Sequence, residues 1–327
     1  MFDFLSRLKD LTIFQGSLNS KNYFEGWYFK QTSLDGKNKF AIIPGVSLSG
    51  SDDHAFIQVY DGTSRISNYV SYNLEEFIPK KDPFRVKLGN SVFKLTGIEL
   101  DIPEFEIEGS LRYSDHFYYN SRWFERGVMG LYGYVPFMET YHGLISLDHK
   151  VQGNVNIRGK DHFFDEGRGY VEKDWGKSFP SSWIWMQSND FPKPKTSLMV
   201  SVAIIPWLNS SFVGHITVLL FDNKILNFST YRGGKITLLQ EEKDGVRLKI
   251  ETRKLCLEIK AFKGESVSLR SPIRGEMKGR TIESLSGILE VSLLSKQEDE
   301  ILFSGTGSNS GLEIMDEKSD LIKKLGL

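Results

Sequence analysis

From Tyr23 onward the chain alternates apolar and polar positions with a period of two. Val246-Arg-Leu-Lys-Ile250 and Leu255-Cys-Leu-Glu-Ile259 are clear instances. This is the pattern of strands with one face on a core and the other on water. Turn signals recur at short intervals, at Leu34-Asp-Gly, Tyr60-Asp-Gly, Leu88-Gly-Asn, Arg232-Gly-Gly and Asp244-Gly. Short strands punctuated in this way predict an all-β sandwich or barrel. Helical periodicity is confined to the ends. Residues 2–12 place Phe4, Leu5, Leu8 and Leu11 on one side of a short helix, which packs on the body or makes transient contact with a membrane surface.

The two halves resemble each other. Trp27-Tyr-Phe-Lys-Gln31 aligns with Trp183-Ile-Trp-Met-Gln187, and Ala41-Ile-Ile-Pro44 recurs as Ala203-Ile-Ile-Pro206. His54-Ala-Phe-Ile-Gln-Val59 is followed in the second half by His215-Ile-Thr-Val-Leu219. Gly143-Leu-Ile-Ser-Leu147 matches Gly287-Ile-Leu-Glu-Val291, and Gly169-Tyr-Val-Glu-Lys-Asp174 matches Gly311-Leu-Glu-Ile-Met-Asp316. Their common order predicts two tandem antiparallel β-domains, 1–178 and 179–327, with short helices at the termini. Residues 116–142 have no counterpart. They are irregular, rich in Gly and aromatics, and read as a lid-like insertion in the first domain.

The repeat assigns faces. Leu312 and Ile314 point to the core of the second copy, so Tyr170, Glu172 and Asp174 are expected to point inward in the first. Val171, Lys173 and Trp175 then face out or pack on the neighbour. Trp27, Phe29 and Gln31 share a face with Glu25, and Trp183, Trp185 and Gln187 share the equivalent one. Glu172 stands where the second copy has Ile314, and Glu25 where it has Ser181. A carboxylate turned into an apolar barrel must be paired or protonated. Such a group is a candidate acid near neutral pH. Structural ion pairing with a neighbouring Arg or Lys is the alternative for both, and plain core packing is the alternative for the tryptophans.

Composition narrows the partners. The 41 Lys and Arg against 42 Asp and Glu leave a net charge of −1, without clusters, which argues against nucleic acid. The single cysteine, Cys256, cannot form an intrachain disulfide and fits a reducing compartment. Met1–Phe14 does not read as a secretory signal, and no apolar run approaches transmembrane length. A cytoplasmic protein is expected. Glu139 to His149 gathers two His and two carboxylates without zinc spacing, and His142 beside the insertion is a candidate base or hydrogen-bond donor. Nucleophile elbows and phosphate loops are missing from the sequence.

Tyr23-Phe-Glu-Gly-Trp-Tyr-Phe-Lys30, Ile43-Pro-Gly45, Pro136-Phe-Met-Glu139 with His142-Gly143, and Gly169 through Phe191 resemble the tocopherol cyclase family. That family is similar to the wider lipocalin-like group of carotenoid hydratases and pericyclases. The resemblance implies tandem lipocalin-like (calycin-like) barrels and an aromatic-lined pocket. It also implies proton-initiated cyclisation of a prenylated quinol or related isoprenoid without metal or organic cofactor. In that chemistry Glu172 or Asp174 would be the acid and Glu25 its partner or an orienting group, with His142 a base or hydrogen-bond donor. Trp27, Trp183 and Trp185 would form the cation-facing wall, with Phe29, Gln31, Tyr170, Trp175 and Gln187 lining the pocket. A cytosolic carrier of a hydrophobic small molecule is the competing reading, and an inactive interface protein a third.

Overall fold

The computed structural model describes residues 10–327. The expected helix over 2–12 therefore lies outside the described residues except at 10–12, where the chain is not helical. At the other end α1 (Asp320–Leu325) is a short helix. Its first N–H groups, those of Asp320 and Leu321, donate to the Asp316 carboxylate at 2.9 and 3.0 Å, which satisfies donors that a helix start leaves open.

Apart from four 3-10 segments and the connecting loops, the other described residues form two antiparallel sheets. The first sheet contains β1 (Tyr23–Thr32), β2 (Lys39–Leu48), β3 (His54–Asp61), β4 (Ile66–Tyr72), β5 (Phe77–Lys80) and β6 (Arg85–Leu88). It continues with β7 (Ser91–Lys94), β8 (Gly97–Ile102), β9 (Ile107–Tyr118), β10 (Thr140–Ile157), β11 (Lys160–Phe163) and β12 (Gly167–Gly176). The second contains β13 (Trp183–Ser188), β14 (Ser197–Trp207), β15 (Ser210–Phe221), β16 (Lys224–Asn227) and β17 (Lys235–Glu242). Its remaining strands are β18 (Gly245–Glu251), β19 (Leu255–Phe262), β20 (Ser266–Ile273), β21 (Glu276–Ser295) and β22 (Glu300–Met315).

Strand order explains the curvature. The first sheet runs β4-β3-β2-β1-β12-β10-β9-β8-β7-β6-β5, so its two end strands are β4 and β5. Those strands are joined by residues 73–76, a connection that spans no more than about 18 Å. The sheet must therefore curl until its edges approach, and β3 does contact β6. The second sheet, β16-β15-β14-β13-β22-β21-β19-β18-β17, repeats the scheme with fewer strands. Curling the sheet removes the long exposed edges that invite aggregation.

Contacts divide the chain into two compact units. The first extends to Phe179 and also takes in Leu269–Arg280; the second comprises Pro180–Ser268 and Thr281–Leu327. The excursion of 269–280 into the first unit has no trace in the repeat. Each unit has its own core. The first packs Trp27, Phe29, Phe40, Phe77, Phe84, Phe93 and Phe164 with aliphatics such as Ile42, Val151 and Val171. The second packs Ile184, Met186, Val200, Val202, Leu248, Ile259, Val291 and Leu312.

Within 116–142 the first and last residues extend β9 and β10, and the irregular part is 119–139. Val128, Met129 and Met138 are buried, whereas Trp123 is 94% exposed. Gly127 and Gly130 carry φ of 61° and 58°, a region that costs glycine little. Arg126 fastens the segment: its guanidinium donates to the Gly133 carbonyl at 2.6 Å and to Gln15 Oε1 at 3.0 Å. The same guanidinium lies over the rings of Tyr141 and Trp175.

Candidate active site

The aligned strings of the two halves are paired in the same register. Gln31 pairs with Gly169 and Trp27 with Lys173, as Gln187 pairs with Gly311 and Trp183 with Met315. The inferred faces need correction. In the second unit Leu312 and Ile184 do face the core, but in the first it is Val171, Trp27 and Phe29 that do so. Tyr170, Glu172 and Asp174 lie on the opposite face of β12. A shift of one residue in phase reverses every side chain of a strand. Here β1 is buried on both faces, from Trp27 at 0% exposure to Tyr28 at 9%, so no polar alternation marks which side is the core.

On the core side the expected partnership of Glu25 with Glu172 is replaced by an ion pair. Lys173 Nζ lies 2.6 Å from Glu25 Oε1, and both side chains are fully buried. The carboxylate also accepts the backbone N–H of Gln15 at 2.9 Å, that of Gly16 at 3.1 Å, and the Tyr23 hydroxyl. The ammonium donates to the carbonyls of Leu11 and Ile13 at 3.0 and 2.5 Å and sits over Trp27 and Trp175. Burial lowers the pKa of Lys173, and Glu25 opposes that effect. Every donor and acceptor is engaged, so this pair anchors residues 11–16 and is not arranged to exchange a proton with a ligand.

The other face of β12 carries a different group. Register places His142 of β10 opposite Asp174, and Leu144 opposite Glu172, just before an irregularity in β10. His142 Nδ1 lies 2.8 Å from Asp174 Oδ1, and Nε2 lies 3.3 Å from Glu172 Oε2. Tyr170 donates its hydroxyl to the same Glu172 oxygen at 2.5 Å. Burial alone would depress the His142 pKa, yet Asp174 and Glu172 outweigh it and hold the imidazole well above its ordinary value. The two carboxylates favour the imidazolium, whose Nδ1–H donates to Asp174 while Nε2 faces Glu172 at 3.3 Å without hydrogen-bond geometry. Burial, reinforced by Glu172, raises the Tyr170 phenol, which stays a donor. Asp174 is the member nearest solvent, with 26% side-chain exposure against 5% for Glu172.

The same atoms could hold a cation, since one imidazole nitrogen and two carboxylate oxygens lie within 4.8 Å of one another. Both ring nitrogens are already directed at carboxylates, however, so a metal would first have to displace the imidazolium proton.

The remaining candidates separate. Trp27, Phe29 and Gln31 lie inside the first barrel, where Trp27 Nε1 donates to the Thr12 carbonyl at 2.7 Å and Gln31 Nε2 to the Tyr113 hydroxyl at 2.6 Å. Trp175 stacks on Tyr141 at 5.5 Å on that same side. In the second unit Trp183 Nε1 donates to Glu313 at 2.6 Å, Trp185 covers Gly311, and Gln187 Nε2 donates to Asn189 Oδ1 at 3.3 Å. These three occupy the face opposite that unit's core. Two residues on the His142 side went unnoticed, namely Tyr28, paired with Glu172, and Lys30, paired with Tyr170. Their signal was the alternation inside Glu25-Gly-Trp-Tyr-Phe-Lys30 itself, which puts them across the strand from Trp27 and Phe29.

A profile of the tocopherol cyclase-like family matches residues 104–315, which include the insertion, β10 and β12. The chloroplastic tocopherol cyclase of Zea mays is 29% identical over 68 residues, 21% of this chain. The match spans only 14% of that longer relative. Among solved structures, CghA with Sch210972 has a TM-score of 0.58 at 11% identity, covering 89% of this chain and 88% of that one. A candidate AttH from Nitrosomonas europaea has a TM-score of 0.51 at 14% identity, covering 89% of this chain and 92% of that one. At such identities the structures speak for the fold, a pair of lipocalin-like barrels. With a family profile spanning well over half of its length, the chain belongs to the tocopherol cyclase-like family.

Proposed function

We propose that the chain is a cofactor-independent acid–base enzyme that cyclises, or hydrates, an alkene-bearing isoprenoid such as a prenylated quinol. The observation that carries this reading is the buried His142 ring held between Glu172 and Asp174, with Tyr170 fixed on Glu172. Asp174 is assigned as the proton donor because it is the cluster's exposed carboxyl, and His142 recharges it across the 2.8 Å contact. Glu172 keeps His142 charged and oriented, and Tyr170 keeps Glu172 in place.

In the cyclisation the His142 proton passes through Asp174 to the less substituted alkene carbon, leaving a tertiary cation and a neutral imidazole. The phenol oxygen closes on that cation, and the phenolic proton returns through Asp174 to His142. No electrons are gained or lost, and substrate and product are isomers. In the hydration a water oxygen takes the place of the phenol. The two anionic side chains stabilise the cation as it forms.

Trp27, Phe29, Phe40, Phe77, Phe84 and Phe93 pack the first barrel's interior, which counts against a ligand held there by carrier or enzyme alike, so the reading rests on the His142 cluster on the other face of β12. The test is turnover of a prenylated hydroquinone to a chromanol, followed by mass-resolved chromatography. Asp174→Asn is expected to reduce the rate by at least about a hundredfold with the fold intact. A variant as active as the parent would remove Asp174 from the chemistry.

A further inference from the structure

An arginine in the first unit is held in place by several contacts, yet no carboxylate among the described residues forms an ion pair with it. Arg270, on β20, is clamped by the buried side chain of Gln58: its N–H donates to Gln58 Oε1 at 2.8 Å and its carbonyl accepts from Nε2 at 3.2 Å. Its guanidinium lies 4.2 Å over the ring of Tyr69. That ring stacks on Phe56 at 5.1 Å, and the Tyr69 hydroxyl is 2.7 Å from His54 Nε2. His54 Nδ1 in turn faces the Asp52 carbonyl at 2.9 Å. One tautomer satisfies this chain: Nδ1–H donates to the carbonyl, and Nε2 accepts from Tyr69. Phe56, Tyr69 and Arg270 thus form a fixed stack that leaves the in-plane donors of the guanidinium open.

Among the described residues neither Arg270 nor Arg280 forms an ion pair. Arg280 donates only to the Gly279 carbonyl, at 2.9 Å. Both border a hollow of about 430 Å³, together with Ser51, Asp52, His54 and Glu276. Of the acidic groups there, Glu276 is paired with Lys278 at 2.5 Å, and the exposed Asp52 carboxylate lies 3.5 Å from the neutral His54 ring.

We infer that this hollow is a receptor for a phosphate monoester, with Arg270 and Arg280 as its two forks. A phosphate has three acceptor oxygens that two forks can share, whereas a carboxylate has two. The inference is independent of the His142 cluster, so Asp174→Asn should leave it untouched. The ester could be a soluble metabolite or a lipid headgroup, and two measurements on the full chain separate them.

Inorganic phosphate is titrated by calorimetry, and vesicles of phosphatidylcholine with or without phosphatidic acid are tested by co-sedimentation. Saturable phosphate binding, weakened about tenfold or more by Arg270→Gln and by the exposed Arg280→Ala, is expected. Arg270→Lys should restore little of it, since a point charge lacks the fork. Co-sedimentation that requires phosphatidic acid and is lost in Arg270→Gln would assign a headgroup, and phosphate binding alone a soluble ester. Absence of saturable binding in both assays, or equal binding by the Arg270→Gln/Arg280→Ala double variant, overturns the proposal.

Discussion

Replacing Lys173 with methionine tests the physical reading of the first barrel. The substitution keeps most of the side-chain volume between Trp27 and Trp175 but strands the Glu25 carboxylate, which is fully buried. Three donors remain to it, from Gln15, Gly16 and Tyr23. Removing one partner of a buried pair costs about 3–5 kcal/mol, and the lost contacts with two indole rings add about 1 kcal/mol. The remaining donors offset part of this, so a net loss of about 3–4 kcal/mol is expected, a large share of any domain's stability. The assay is urea denaturation followed by the fluorescence of the tryptophans. Because two units need not unfold together, the transition is assigned by hydrogen exchange of residues 11–16 and of β1. Adding Glu25→Leu to Lys173→Met should recover most of the loss, since the stranded charge is then gone. A single-variant cost below about 1 kcal/mol, or a double variant as unstable as the sum of the singles, would refute the account.

His142 has a folded-state pKa raised above its unfolded value. Its contribution to stability is therefore complete below about pH 6.5 and lost as pH rises through the folded value; denaturation midpoints across that range should fall, and His142→Gln should flatten the slope. Gly169→Ala should destabilise the first unit by about 1–3 kcal/mol, because a Cβ there would meet His149 Nε2 at 2.1 Å, and a thermal melt reads the loss directly. Dialysis against a chelator is expected to leave turnover unchanged, whereas activity lost on dialysis and restored by zinc would replace the proton mechanism by a metal one at the His142 cluster.

The architecture was legible because its signals are local and repeated. Period-two alternation in 246–250 and 255–259 became β18 and β19, and the strings matched between the halves fall on equivalently paired strands. Site residues were legible in kind but not in direction. Glu172, Asp174 and His142 do converge, yet on the face opposite to the one expected, because β1 and β12 are covered on both sides and hydrophobicity no longer distinguishes them. Glu25 went astray for a related reason. Its partner, Lys173, had been placed on the outer side by the same parity error. Arg270 could not be read at all, since its place in the first unit depends on the excursion of 269–280.

Residues 170–175 alternate between two unrelated tasks, with acid–base side chains at the even positions and the Lys173 anchor among the odd ones. A single-codon insertion or deletion there would swap the tasks at a stroke, burying carboxylates among phenylalanines and expelling the ammonium. Such a strand cannot drift by length, only by substitution in place. Anyone seeking altered selectivity would therefore do better to substitute exposed positions of 119–139, such as Trp123, than to touch the ribbon that keeps both jobs in phase.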